Sequence, residues 1–193
     1  ENGYVKLYSR KGLKGGFFKF PKVTVTGTSN LIMASIFAKG VQILENISIE
    51  PEVIDLINFL NNSGADIKFK GKRTIRIKGI KKLDYGSHEI IGDRIEAFSY
   101  LCVAAITKGQ ILLKNINPKH LLTELKALKK IGCYIKVSEN SILLKSMKKH
   151  KAIKIETGPF PKYATDNMPM ALALLTKTPG KSFISEKIFS NRF

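Results

Sequence analysis

The stretch Lys39-Gly40-Val41-Gln42-Ile43-Leu44-Glu45-Asn46-Ile47 returns 69 positions later as Lys108-Gly109-Gln110-Ile111-Leu112-Leu113-Lys114-Asn115-Ile116. The segment after each copy repeats as well. Glu50-Pro51 opens a run with Ile54, Ile57 and Leu60 at helical spacing and Gly64 past its end. Asn117-Pro118 opens its partner, with Leu121, Leu125 and Leu128, closed by Gly132. Pro fits the first helical position, whose N–H has no partner within the helix, and Gly accepts the left-handed backbone that ends one. Each segment runs into two β-prone stretches: Asp66–Phe69 and Thr74–Ile77 in the first copy, Tyr134–Val137 and Ser141–Leu144 in the second.

A helical run precedes each Lys-Gly. Asn30 to Ala38 carries Leu31, Ile32, Ala34, Ser35 and Phe37, and Arg94 to Thr107 carries Ile95, Phe98, Leu101, Cys102 and Ile106. With a short strand at Val23-Thr24-Val25 leading the first copy, the unit reads strand, helix, strand, helix, strand, strand. Such a unit buries one sheet face under two helices, which makes the fold class α/β (α+β). A third copy begins near Thr165, with a helix from Asp166 to Leu175 and a strand at Ser182-Phe183-Ile184. Gly3 to Phe20 reads as the closing strands of an earlier copy. Two whole repeats between two partial ones lead to the expectation of a central piece of a longer repetitive protein.

Composition narrows the function classes. The chain has 193 residues, 44% of them apolar, and no apolar run approaches the roughly 20 residues of a membrane-spanning helix. The first residues lack the layout of a secretory signal. Cys102 and Cys133 lie inside apolar runs, which points to buried thiols in a reducing, cytoplasmic setting and away from a disulfide framework. Net charge is +18, from 33 Lys and Arg against 15 Asp and Glu. The excess is nearly all Lys, dispersed, and its densest cluster (Lys145, Lys148, Lys149, Lys151) has no aromatic partner. Nucleic-acid surfaces concentrate Arg and interleave aromatics, so no nucleic-acid partner is expected and the charge reads as a solvated surface.

There is no Gly-rich nucleotide loop, zinc spacing or nucleophile elbow, and neither cofactor nor metal is expected. Three segments could carry chemistry. Lys22-Val23-Thr24-Val25-Thr26-Gly27-Thr28 is either a phosphate seat, with free N–H groups, a helix N-terminus and a Lys, or a strand followed by an N-cap at Thr28 or Ser29. Thr165-Asp166 is either a cap or a carboxylate that takes a proton from a substrate hydroxyl. In Phe189-Ser190-Asn191-Arg192-Phe193, the Arg either clamps an anion or lies on the surface. The histidines, His88, His120 and His150, have no matching partners in the sequence and receive no role.

Taken together, these segments resemble the enolpyruvyl transferases, and among them the branch that acts on UDP-N-acetylglucosamine. The resemblance rests on Lys22–Thr28, Glu45-Asn46 with Glu50-Pro51-Glu52-Val53-Ile54-Asp55, Asp93-Arg94-Ile95-Glu96, Thr165-Asp166 and Asn191-Arg192-Phe193, in the family's order and nearly its spacing. It implies βαβαββ units arranged as an inside-out α/β barrel in two globular halves, with ligands in the cleft between them. On that footing residues 1–91 are the later part of one half, and residues 92–193 the first part of the other.

The implied activity is transfer of the enolpyruvyl group of phosphoenolpyruvate to the 3′-hydroxyl of UDP-N-acetylglucosamine, the first committed step of peptidoglycan synthesis. Carried over residue by residue, Lys22, Thr24, Val25 and Thr26 match the segment that holds the nucleotide diphosphate. Asp166 matches the carboxylate at the sugar hydroxyl, the general base. Ile188 matches a backbone contact to the sugar nucleotide, Arg192 the Arg of the family's Asn-Arg-Phe motif, and Glu50 an acidic residue on a helix lining the cleft.

Departures from the family pattern are specific. Thr24 replaces a usual Ser, Ser190 a usual Glu, Met168 a usual Gln, and Tyr163-Ala164 a common Phe-Pro. The family's Lys-Asn pair, its loop cysteine with a neighbouring Arg, and a late Arg that binds phosphoenolpyruvate have no counterpart here. The expectation is therefore a fragment that is inactive alone and is completed by the N- and C-terminal parts of the same enzyme. Two other readings stay open: a shikimate-pathway enolpyruvyl transferase, and a basic binding module without catalysis.

Overall fold

In the computed structural model of the chain, strand β1 (Phe17–Lys19) is followed by helix α1 (Val25–Ser35), strand β2 (Val41–Glu45), helix α2 (Pro51–Asn62) and the hairpin of β3 (Asp66–Gly71) and β4 (Thr74–Lys78). The structure describes every residue except 1, 2, 4, 5, 7, 85, 190 and 193. The sheet order is β1-β2-β4-β3, with β1 parallel to β2 and the other neighbours antiparallel. This is one complete βαβαββ unit.

Two expectations for its front end are corrected. The leading strand is Phe17–Lys19 and not Val23–Val25, because Val23 and Thr24 already turn into α1. The end of the stretch Gly3 to Phe20 therefore contributes this unit's own first strand, Phe17–Lys19; residues 4, 5 and 7 of that stretch lie outside the described residues. Helix α1 begins five residues ahead of the apolar run that signals it. Its N-cap is Thr24, with φ −142° and ψ 128°, whose Oγ1 accepts the Gly27 N–H at 3.2 Å, and not Thr28 or Ser29.

The second repeat consists of α3 (Arg94–Ile106), β5 (Gln110–Lys114), a 3-10 turn at Pro118–Leu121 leading into α4 (Leu122–Ile131), and the hairpin of β6 (Tyr134–Ser138) and β7 (Ser141–Lys145). Its order, β5-β7-β6, copies β2-β4-β3 of the first. The register is also copied: Val41–Glu45 pairs with Lys78–Thr74, and Gln110–Lys114 with Lys145–Ser141. Asn46 and Asn115, 69 residues apart like the motif itself, both leave their strand with left-handed φ, 57° and 58°. Gly64 and Gly132 close α2 and α4 at φ 96° and 117°, as their spacing predicts.

The third copy begins earlier than Thr165. Strand β8 (Lys154–Glu156) leads it and pairs in parallel with β9 (Phe183–Ser185), as β1 pairs with β2. Between them lie a 3-10 turn at Thr165–Asn167 and α5 (Met168–Thr176). Among the described residues, none of the three sheets closes into a barrel.

The chain divides into two compact units, Glu1–Glu89 and Ile90–Phe193. Each has its own core. Ile32, Leu44, Val53, Ile57, Ile75 and Ile77 fill the first; Phe98, Leu101, Leu121, Leu128, Ile142 and Leu144 fill the second. Burial of this kind stabilises by about 25 cal/mol for each Å² of apolar surface removed from water, and it holds the helix starts, where the polar motifs lie, against the sheets.

The cysteines are buried free thiols, as their apolar surroundings imply. The histidines do find partners. His88 Nε2 lies 2.9 Å from Asp55 Oδ1 and its ring rests on Phe59, whereas His150 lies between Lys108 and Ser146. The contacts with Asp55 and Lys108 join residues 33 and 42 positions apart, which no local pattern reveals.

Candidate active site

The repeat places the motif residues at equivalent points. Lys22, Thr24, Val25 and Thr26 lead into α1, Asp93-Arg94 into α3, and Thr165-Asp166 into α5, so each group stands where the first helix of its repeat begins. Helix starts leave N–H groups without intrahelical acceptors and carry a partial positive charge.

In the first unit, Lys22, Thr24, Val25 and Thr26 are all exposed. The Thr24 hydroxyl caps Gly27, and the Val25 and Thr26 N–H groups have no acceptor among the described residues. Thr28 lies behind them, fully buried. Its Oγ1 donates to the Thr24 carbonyl at 2.6 Å and accepts the Ser48 N–H at 3.0 Å. Ser48 in turn hydrogen-bonds the carboxylate of Glu50. Glu50 stands just before α2 rather than on it, and at 7% exposure its carboxylate is turned inward on this turn.

The second unit carries the denser cluster. Asp166 projects from the 3-10 turn with its side chain 61% exposed, between the half-buried Thr165 and the fully buried Asn167. The turn is fixed from below by Glu124, a buried carboxylate on α4 whose Oε1 accepts the Ala164 N–H at 2.9 Å and the Asn167 amide at 3.3 Å. Met168, standing where the family commonly has Gln, is buried at the start of α5 and contributes to packing. Tyr163, in the place of a common Phe, is buried edge-on to Phe98, so the ring is kept; burial pushes its hydroxyl pKa up.

Arg192 reaches back to this turn. Its Nη2 donates to Asp166 Oδ1 at 2.9 Å, its Nη1 to Thr165 Oγ1 at 2.6 Å, and its guanidinium lies over the Phe189 ring. Ile188, Phe189, Asn191 and Arg192 line an open depression in the surface. Ser190, the site of a usual Glu, lies outside the described residues.

Glu186, to which no motif in the sequence points, ties the cluster together. Its Oε1 accepts the Thr157 hydroxyl at 2.8 Å and the N–H groups of Ile188 and Phe189 at 2.6 and 3.1 Å. Its Oε2 accepts the Thr165 hydroxyl at 2.8 Å. Partial burial alone would raise its pKa, but the bonds from Thr165, Ile188, Phe189 and Thr157 outweigh that and hold it below the ordinary value. One signal is available in the sequence: Glu186 follows β9 just as Asn46 follows β2, the position at which each repeat leaves its second strand.

A carboxylate in solvent, paired with a guanidinium and backed by buried polar groups, can take a proton from a hydroxyl and balance anionic charge. Among the described residues, no group of three or more His, Cys, Asp or Glu side chains is placed to hold a metal ion. No helix among them is long and apolar enough to cross a membrane.

Residues 1–193 match the profile of EPSP synthase (3-phosphoshikimate 1-carboxyvinyltransferase). The chain belongs to that enolpyruvyl transferase family. Relatives within it are similar over essentially the whole chain. The UDP-N-acetylglucosamine 1-carboxyvinyltransferase of Pelagibacter ubique (strain HTCC1062) is 46% identical over 191 residues, covering 99% of this chain and 46% of its own length. The protein of that name from Bartonella tribocorum (strain CIP 105476 / IBS 506) is 45% identical over 196 residues, again 46% of its length. The chain therefore spans about half the length of the curated relatives it matches. Among solved structures, the enolpyruvyl transferase NikO from Streptomyces tendae superposes with a TM-score of 0.74 at 20% identity, over 86% of this chain and 41% of that one. An EPSP synthase from Acinetobacter baumannii gives 0.61 at 19% identity, over 90% and 40%. At those identities the superpositions establish the enolpyruvyl transferase fold.

Proposed function

We propose that this chain carries the sugar-binding and proton-abstracting part of an enzyme that transfers enolpyruvyl from phosphoenolpyruvate to the 3′-hydroxyl of UDP-N-acetylglucosamine, in peptidoglycan synthesis. The observation that carries this reading is the Asp166–Arg192–Thr165 cluster, in a chain whose relatives at 40–46% identity bear that activity in their names. The shikimate-pathway alternative has weaker support, because its solved representatives stand at 18–19% identity.

In this reading Asp166 takes the proton of the sugar hydroxyl as its oxygen bonds to C2 of phosphoenolpyruvate. A proton delivered to C3 completes a tetrahedral adduct, and loss of inorganic phosphate from C2 with a proton from C3 restores the C2–C3 double bond and leaves the enol ether of the sugar. Arg192 holds Asp166 in orientation before the sugar arrives and offsets anionic charge afterwards. Ile188 spends its N–H on Glu186, so its carbonyl is the atom offered to the sugar nucleotide. Lys22 and the exposed N–H groups of Val25 and Thr26 act on the diphosphate, with Thr24 capping the helix that presents them. Glu50 supports that segment through Ser48 and Thr28 and need not touch ligand. The two free buried thiols suit a reducing cytoplasm. The residues beyond this span that complete the relatives' length supply the remaining phosphoenolpyruvate contacts, so the chain on its own binds sugar nucleotide without turnover.

Calorimetric titration of the chain with UDP-N-acetylglucosamine and, separately, with shikimate 3-phosphate tests this. Heat of binding with the first, reduced in the Asp166→Asn variant, is the expected result. Binding of shikimate 3-phosphate alone, or of neither ligand, contradicts the reading.

A further inference from the structure

We infer that Glu186 is a positioning residue that aims Arg192 at Asp166 through the hydroxyl of Thr165, an inference that rests on the reading of Asp166 and Arg192 as the reactive pair. A carboxylate only accepts hydrogen bonds, and the Thr165 hydroxyl has one proton. Given to Glu186 Oε2 at 2.8 Å, that proton leaves the lone pairs of Thr165 Oγ1 facing the other way, where Arg192 Nη1 donates at 2.6 Å. Bond polarity therefore runs in one direction, from guanidinium to hydroxyl to carboxylate. The second Arg192 nitrogen is then brought to Asp166 Oδ1 at 2.9 Å.

The remaining contacts of Glu186 fix its own place. Oε1 gathers the Thr157 hydroxyl and the N–H groups of Ile188 and Phe189, so the carboxylate organises the turn that leads toward Arg192. Thr157 is fully buried, directly after β8, and its Oγ1 also accepts the Lys187 N–H at 2.9 Å. The chain on both sides of Glu186 is thus pinned to the sheet. An arginine carried on an exposed loop would otherwise lose considerable side-chain freedom on engaging a ligand. Fixing it beforehand through a half-buried carboxylate lowers that cost.

Glu186 need not touch substrate for this. Replacing it by Gln keeps size and one acceptor but puts an NH₂ where Oε2 received the Thr165 proton. Thr165 must then accept from Gln, and its lone pairs are no longer reserved for Arg192. Thr165→Val removes the relay without disturbing the other three contacts of Glu186; Thr165→Ser preserves it.

The test is arginine side-chain NMR of the 193-residue chain, with the Arg192 guanidinium signals identified by their loss in Arg192→Lys. In the wild type, the Nη protons of Arg192 are expected to exchange slowly and to give separate signals. In Glu186→Gln and in Thr165→Val their exchange should speed up by about tenfold or more, the scale of one lost charge-assisted hydrogen bond, while Thr165→Ser stays near wild type. Unchanged Arg192 exchange in Thr165→Val overturns the inference, as does equal acceleration in Thr165→Ser and Thr165→Val. Thr165→Val decides the matter if Glu186→Gln fails to fold. A chain that shows this pattern but binds no sugar nucleotide refutes the proposed function and leaves the relay standing; the converse refutes the relay alone.

Discussion

Arg192 and Asp166, 26 residues apart, meet in a 2.9 Å ion pair that the third repeat builds by placing its first helix start beside the turn that follows its second strand. In an exposed setting such a pair contributes little to stability, about 0–1 kcal/mol, so its placement points to a use other than holding the fold.

Replacing Arg192 by Ala should therefore leave the melting temperature close to wild type while weakening UDP-N-acetylglucosamine binding about tenfold or more, the usual scale for a charged hydrogen bond. Calorimetry and differential scanning on the same preparation check both halves.

A second prediction concerns acid. Burial first and the nearby Lys108 ammonium second lower the pKa of His150 below its ordinary 6.5. Lys108 Nζ donates to Nδ1 at 3.1 Å, and Nε2 lies 3.0 Å from Ser146 Oγ, which itself donates to the Ala105 carbonyl. The ring is thus neutral, with its proton on Nε2. A histidine whose folded pKa is depressed contributes stability that is fully present above its unfolded value and is lost as pH falls through the folded one. Denaturant unfolding should therefore show the chain weakening as pH drops below 6.5. His150→Gln should flatten that part of the profile, and Lys108→Met should flatten it only in part, because burial remains.

Gly132 offers a backbone test. It ends α4 at φ 117°, and a Cβ there would stand 2.7 Å from the Lys149 carbonyl oxygen. Gly132→Ala should destabilise by at least ~1–3 kcal/mol, whereas Gly12→Ala, at φ 72° with open space around it, should show only the backbone strain. Urea unfolding of the two variants gives the difference.

The thiols should be inert. Burial pushes Cys102 up to about 12, with Cys133 adding to the rise, and it pushes Cys133 up to about 11 against the opposing pull of Lys108. Alkylation at neutral pH should modify neither until denaturant is added, because the thiolate is the nucleophile. Rapid labelling of the native chain, read by mass, would contradict this.

These sites differ in how far the sequence reveals them. The repeat is legible because helix spacing, Pro51 and Pro118, and Gly64 and Gly132 are local signals that act twice in the same order. The start of α1 is not legible, since Val25, Thr26 and Gly27 favour strand or turn locally and only the Thr24 cap and packing over the sheet make them helical. The resemblance singles out Asp166 and Arg192 one at a time; their contact spans a loop whose course no periodicity fixes. Glu186 is marked only by its place after the second strand of its repeat, and its contacts are hidden for a similar reason. Its partners Thr157 and Thr165 lie 29 and 21 residues away, and nothing around Glu186 itself departs from an ordinary charged position after a strand.

The most direct measurement is residue-resolved NMR of the chain as UDP-N-acetylglucosamine is added, tracking the Arg192 guanidinium and the Asp166 carboxyl carbon. Saturable shifts at both groups, with no such response to shikimate 3-phosphate, are the predicted result. Signals at Arg192 and Asp166 that stay in place up to the solubility limit of the sugar nucleotide would contradict the assignment of this pair to its hydroxyl.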